Sequence, residues 1–173
     1  MNRVNIRDAK PSEATLIARL HATSWMSAYR GLLSDEYLDN DLEAERTSYW
    51  VDKMPDLEDK EFVLVAERNG ELIGFVAVLD KPDFDFDALV DNLHVRPDLK
   101  GQGIGGKLLS AVAERLLNTD RKSFYLFVLE GNTAAENFYL AKGGQPLDVL
   151  TQEFGGRMVH ARRFAWEHLE RLK

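Results

Sequence analysis

Leu93-His94-Val95-Arg96-Pro97-Asp98-Leu99-Lys100-Gly101-Gln102-Gly103-Ile104-Gly105-Gly106-Lys107-Leu108-Leu109 decides how the rest of the chain is read. An apolar strand end passes through a five-residue loop, Arg96 to Lys100, into a glycine-rich turn that opens a helix. Gly101, Gly103 and Gly105 remove the Cβ atoms that would hold a ligand away from the backbone. The first helical turn presents N–H groups without intrahelical acceptors, and the helix dipole favours negative charge at the same end. A pyrophosphate fits such a cradle. The run Gly101 to Gly106 also matches the G-x-G-x-x-G dinucleotide fingerprint, which is weak when it stands alone. In that fingerprint the glycines come straight off a strand, and an acidic residue about 20 positions on takes the ribose. Here a loop intervenes, and Asp120 follows Gly106 by only 14 residues.

Downstream, Ile104, Leu108, Ala111, Val112 and Leu116 mark one helix face. Ser123 to Leu129 is the next strand, so the strand–helix–strand run implies a crossover between two parallel strands. Asn132 to Lys142 reads as a short helix stopped by Gly143-Gly144, followed by strands over Pro146 to Gln152 and Met158 to Trp166 around Gly155-Gly156. Upstream, Leu89 to Val95 is the strand that feeds the glycine loop, and Phe62 to Ala66 and Leu72 to Leu79 form a hairpin across Asn69-Gly70. Val4 and Ile6 alternate as a first strand. Pro11-Ser12 then start a helix with Leu16, Ile17 and Leu20 on its core face, and a second helix is expected around Leu42 to Trp50.

Two upstream features have both a structural and a functional reading. His21, Trp25 and Tyr29 recur every four residues and share a face if the first helix continues that far, either as packing under the next loop or as a substrate wall. In Lys81-Pro82-Asp83-Phe84-Asp85-Phe86-Asp87 three carboxylates alternate with two aromatics, so in extended form the carboxylates face one side. That is either a solvated sheet edge or a rim, including Asp85, that attracts a polycationic acceptor.

The 173 residues, 45 % hydrophobic, suffice for one well-filled α/β core and make a single domain over 1–173 the expectation. A net charge of −7 argues against nucleic acid as partner. The absence of cysteine removes disulfides and thiolate chemistry. The four histidines show no metal-ligand spacing, so no metal site is expected. No apolar run approaches a membrane span, and the start of the chain lacks a signal-peptide core, giving a cytoplasmic location as the expectation.

A second motif lies at Asn132-Thr133-Ala134-Ala135-Glu136-Asn137-Phe138-Tyr139-Leu140-Ala141-Lys142-Gly143-Gly144. Together with the glycine loop and the V-x-P strand end, it resembles the paired signatures of the Gcn5-related N-acetyltransferase (GNAT) family, over nearly the whole chain. The resemblance implies a GNAT-like α/β (α+β) fold: a mixed, mostly antiparallel sheet of about six to seven strands flanked by about four helices. It further implies transfer of an acetyl group from acetyl-CoA, as co-substrate, to a primary amine by direct attack. Carried over residue by residue, the backbone of Leu93, His94 and Val95 would grip the pantetheine arm. Lys100, Gly101, Gln102, Gly103, Ile104, Gly105 and Gly106 would hold the pyrophosphate. Asn132 and Ala135 would border the arm, and Tyr139 would protonate the departing thiolate. Trp25 and Tyr29 would wall the acceptor site, and a homodimer through the C-terminal strands follows by analogy.

The chain departs from the family pattern at Lys100, usually Arg, at Asp98, often Gln or Arg, and at Leu89, where many members carry a glutamate base. Asp91, His94 or a water chain ending on Glu130 are the substitutes, with Asp91 taken as the catalytic candidate. The missing glutamate keeps a catalytically silent acyl-CoA sensor as the alternative function. An NAD-dependent oxidoreductase is disfavoured by the hairpin ahead of the glycine loop. The acceptor stays open among a polyamine, an aminoglycoside, and a protein N-terminus or lysine.

Overall fold

The structure, a computed structural model, describes residues 3–83, 85–154 and 157–172. The strands are β1 (Asn5–Asp8), β2 (Phe62–Arg68), β3 (Glu71–Leu79), β4 (Leu89–Val95), β5 (Phe124–Leu129), β6 (Gln145–Phe154) and β7 (Arg157–Trp166). The helices are α1 (Ala14–Ala28), α2 (Leu42–Lys53), α3 (Ile104–Leu117) and α4 (Thr133–Ala141). The strands form one sheet in the order β1-β2-β3-β4-β5-β7-β6, in which β4 and β5 are the parallel pair. This is the expected single GNAT-like fold.

Local chemistry fixes the turns. Asn69 and Gly70 both adopt positive φ, 56° and 83°, as the tight β2–β3 hairpin requires. Ser34 Oγ accepts the Tyr37 amide at 3.3 Å and so starts the wide π-type turn over Tyr37–Asp41 that leads into α2. Asn132 caps α4 through Oδ1, which accepts the Ala135 amide at 3.3 Å. The expected Gly155-Gly156 turn lies outside the described residues.

Each face of the sheet has its own core. Val78, Val90, Leu126 and Phe164 pack against Ile104, Leu108 and Val112 of α3. On the opposite face Val63, Val65, Phe75 and Ala77 meet Ile17 of α1 and Trp50 of α2. Two irregularities in the middle of the sheet matter for function. In the β3–β4 ladder Ala77 faces Asn92 and Val78 faces Val90, so Asp91 is the extra residue of a bulge. In addition, β4 and β5 share a single register pair, Leu89 with Tyr125, beyond which no β4–β5 pairing is formed.

The acidic segment after β3 is not extended. Asp83 and Phe86 exchange backbone hydrogen bonds of 2.9 and 3.1 Å, closing a turn with Asp85 within it. The alternation argument needs a straight strand, and the turn separates the carboxylates. Asp83 pairs with Arg163, and Asp87 Oδ2 accepts the Lys122 and Ser123 amides at 2.7 and 3.1 Å.

Candidate active site

The gap between β4 and β5 is the floor of a cleft of about 660 Å³ that passes through the sheet. Ile104, Phe138 and Tyr139 line it on the α3–α4 side, and Trp25 and Tyr29 on the α1 side. The ladder alternation explains what the strand offers there. Arg96 donates to Ile73 O at 2.9 Å, so 96/73 and, two residues on, 94/75 are the hydrogen-bonded pairs. The backbone groups of Leu93 and Val95 therefore turn away from β3, toward the gap that β5 leaves.

At one end of the gap the chain builds the anion cradle. Gly101 and Gly103 adopt φ of 80° and 77°, and Gly103 is the N-cap of α3. The first internal bond of the helix is Lys107 N–H to Gly103 O, at 3.1 Å, so the amides of Ile104, Gly105 and Gly106 precede the ladder. A Cβ on Gly105 would come within 3.0 Å of Phe138 Cζ, and one on Gly106 within 2.9 Å of Lys142 Nζ. The bare backbone, the packing against α4 and the Lys142 ammonium together suit a diphosphate.

Tyr139 stands two turns into α4 among Phe138, Trp166 and Phe164, with ring centroids 5.1, 5.8 and 6.0 Å away. Burial, with a smaller contribution from Tyr29, raises its phenol above the usual tyrosine range. Tyr139 is therefore protonated at neutral pH. The Tyr29 hydroxyl, pushed up to about 12 by burial, hydrogen-bonds the Asn132 side chain.

Asp91 projects from the bulge toward the α2 side, and Asn92 Nδ2 donates to its Oδ2 at 2.6 Å. Asp91 lines the cleft and is exposed to solvent. Desolvation by the surrounding protein raises its pKa, against the opposing charges of Lys81, Arg46 and Lys53.

Both ring nitrogens of His94 have partners. The Trp25 indole N–H donates to Nε2 at 3.2 Å, which leaves the proton on Nδ1, 2.9 Å from Ser24 Oγ. Burial, then the charges of Lys100 and Arg46, lower its pKa to about 3. Its ring stacks on that of His21, 4.6 Å away, whose Nδ1 accepts from Trp50 Nε1 at 3.0 Å. His94 thus ties β4 to the Trp25 wall of α1.

Of the residues singled out in the sequence, the cleft gathers Trp25, Tyr29, Asp91, Leu93, His94, Val95, Lys100, Gly101, Gly103, Ile104, Gly105, Gly106, Asn132, Ala135 and Tyr139. Gln102 is turned outward, where Oε1 accepts from Arg68 at 3.1 Å, and Asp85 is exposed on its turn away from the cleft. Glu130 lies 3.9 Å from Arg162 and is also outside the cleft lining. Sequence reasoning missed Phe127, Phe138 and Lys142. Phe138 and Lys142 lie within the second motif, but Phe127 carries no local signal. Among the described residues no group of three His, Asp or Glu side chains is arranged to hold a metal ion, and no helix is long and apolar enough to cross a membrane.

Known proteins resemble this chain in sequence and fold. An uncharacterized N-acetyltransferase of Archaeoglobus fulgidus is 35% identical over 102 residues, covering 57% of this chain and 66% of that protein. The uncharacterized N-acetyltransferase YuaI of Bacillus subtilis is 25% identical over 172 residues, 98% of this chain and 96% of the relative. The crystal structure of PaiA N-acetyltransferase from Thermoplasma acidophilum in complex with coenzyme A has the same fold, with a TM-score of 0.71, 18% identity, and coverage of 92% of this chain and 98% of that one. The family model for the acetyltransferase (GNAT) family matches residues 23–143, and the chain belongs to that family.

Proposed function

We propose that this protein transfers the acetyl group of acetyl-CoA to the primary amine of a small cationic acceptor, by direct attack in a ternary complex. One observation carries the reading: a cleft through the sheet has a carboxylate with a raised pKa, Asp91, on one side of the splayed strands and a buried, protonated phenol, Tyr139, on the other. Acetyl-CoA enters from the α3–α4 face, its diphosphate on the amides at the start of α3 with Lys100 and Lys142 nearby. The pantetheine arm extends β4 by pairing with the outward groups of Leu93 and Val95, bordered by Asn132 and Ala135. The Val95 amide donates to the thioester oxygen as negative charge develops there.

The acceptor enters from the α1 side. Asp91, directly or through a water, takes a proton from the ammonium, and the neutral nitrogen attacks the carbonyl carbon. The N–C bond forms as the C–S bond breaks, the Tyr139 proton goes to the departing sulfur, and the proton that the acylated nitrogen gives up passes through solvent and restores the phenol. The raised pKa of Asp91 makes it a stronger base than an ordinary aspartate, which supports its role in place of the glutamate missing at Leu89. Amine-dependent release of CoA tests the reading. The expected result is release that requires both substrates. Stabilisation by acetyl-CoA with no amine-dependent release would overturn it in favour of the silent sensor.

A further inference from the structure

The acceptor end of the cleft has two properties that the transfer reading does not use. Its walls are aromatic, and their polar atoms are already engaged. The Trp25 indole N–H goes to His94, and the same imidazole holds Ser24 Oγ. The Tyr29 hydroxyl is bonded to Asn132, while its ring stands edge-on to Trp25 at 5.4 Å. Phe127 lies on the same face of β5 as Tyr125, which it meets at 5.7 Å. A substrate entering here meets mostly ring surface, with the Asp91–Asn92 pair as the polar contact, and a polyhydroxylated amine would have to leave most of its hydroxyls unpaired.

The charge around the acceptor end points the same way. Among the described residues lining the cleft, Asp91 is the sole carboxylate. The cations that act on it are Lys81, Arg46 and Lys53, of which Arg46 is paired with Glu45 and Lys53 with Glu61. The nearby acids already have partners: Asp83 holds Arg163, Asp87 holds the Lys122 and Ser123 amides, and Glu45 holds Arg46. Arg46 itself lies over the rings of Trp25 and Tyr49, 5.2 and 5.1 Å from their centroids, behind the wall. A second ammonium on the acceptor would therefore find no further carboxylate on the cleft lining to receive it.

From this geometry we infer that the acceptor is a monoamine with an apolar body, its one ammonium beside Asp91 and its alkyl or aryl portion against Trp25, Tyr29 and Phe127. The inference rests on the acetyl-transfer reading and narrows its acceptor. The protein's overall negative charge does not reach this end of the cleft as a polycation site.

The test is CoA release at saturating acetyl-CoA, fixed pH and fixed ionic strength, with n-hexylamine against 1,6-diaminohexane, which differ by the second charge, and with 2-phenylethylamine against spermidine. The inference requires kcat/KM for each monoamine to exceed that of its polyamine counterpart by at least about tenfold. Phe127→Ala should raise KM for 2-phenylethylamine several-fold while leaving the rise in Tm caused by acetyl-CoA unchanged. Equal or better turnover of the diamine or spermidine would overturn the inference and leave acetyl transfer standing. No turnover of any amine by protein that acetyl-CoA stabilises would overturn the acetyl-transfer reading, and the inference with it.

Discussion

Lowering the pH from 7 to 5 should destabilise this protein through two imidazoles, His21 fully buried and His94 half-buried at the cleft. Burial lowers the pKa of His94 to about 3 and that of His21 well below its ordinary value, while a histidine in the unfolded chain titrates near 6.5. For a histidine depressed in the folded state, the stabilising contribution is complete above pH 6.5 and is lost as pH falls toward the folded pKa, because only the unfolded chain takes up the proton. From 6.5 to 5 is 1.5 pH units, which at 1.36 kcal/mol per unit is up to about 2 kcal/mol per histidine and about 4 kcal/mol for the pair. At roughly 2–4 °C per kcal/mol for a chain of this size, Tm should fall by about 8–16 °C. The depressed carboxylates, Glu13, Glu61 and Asp87, lose their contributions lower, below about pH 4.5, and Asp91, whose pKa is raised, opposes the trend slightly. Thermal unfolding by circular dichroism at pH 7, 6 and 5 reads the slope for the wild type and for His94→Gln. The variant should show about half the wild-type loss. A wild-type Tm that is flat from pH 7 to 5, or a variant slope equal to the wild type's, would refute the assignment of His94 as a link between β4 and α1 that stays neutral over this range.

Tyr139→Phe should lower kcat by about 10- to 1,000-fold with the acetyl-CoA-dependent rise in Tm retained; an unchanged kcat would remove the phenol from the mechanism. The kcat/KM profile should rise with pH through an acid limb above the ordinary aspartate range, because Asp91 acts when deprotonated and its pKa is raised; Asp91→Asn should lower the rate and abolish that limb. Gly103→Ala meets no neighbouring atom within 4 Å but forces alanine to φ 77°, so it should cost about 1–2 kcal/mol of stability, read as a lower urea midpoint with unchanged m. Acetyl-CoA at 100 times its Kd should add about 2.7 kcal/mol, whereas NADH should leave Tm where it is.

What the sequence reveals and what it hides follow from how far apart the cooperating residues lie. The glycine loop, the Asn69-Gly70 turn and the short helix that starts at Asn132 are legible because each depends on backbone conformation within a few residues. The Asp91 bulge is not, since it exists only relative to the partner strand, where Val78 faces Val90 and Ala77 faces Asn92. The same holds for the parting of β4 from β5, which turns a pair of strands into a site. His94 meets Ser24 and Trp25 across about 70 residues, and no periodicity in either segment announces the contact. The acidic stretch was misleading for a different reason: alternation assigns carboxylates to one face only while the chain is straight, and the Asp83–Phe86 turn bends it. Gln102 shows the complement, since a position inside a binding motif need not face the ligand when Arg68 offers it a partner.

Direct transfer in a ternary complex is tested most directly by a single-turnover experiment with enzyme in excess over acetyl-labelled acetyl-CoA, quenched at intervals with and without n-hexylamine. The account predicts that label leaves acetyl-CoA only when amine is present, passes straight into N-acetylhexylamine, and never appears on the protein. Label accumulating on the protein before amine is added would contradict it.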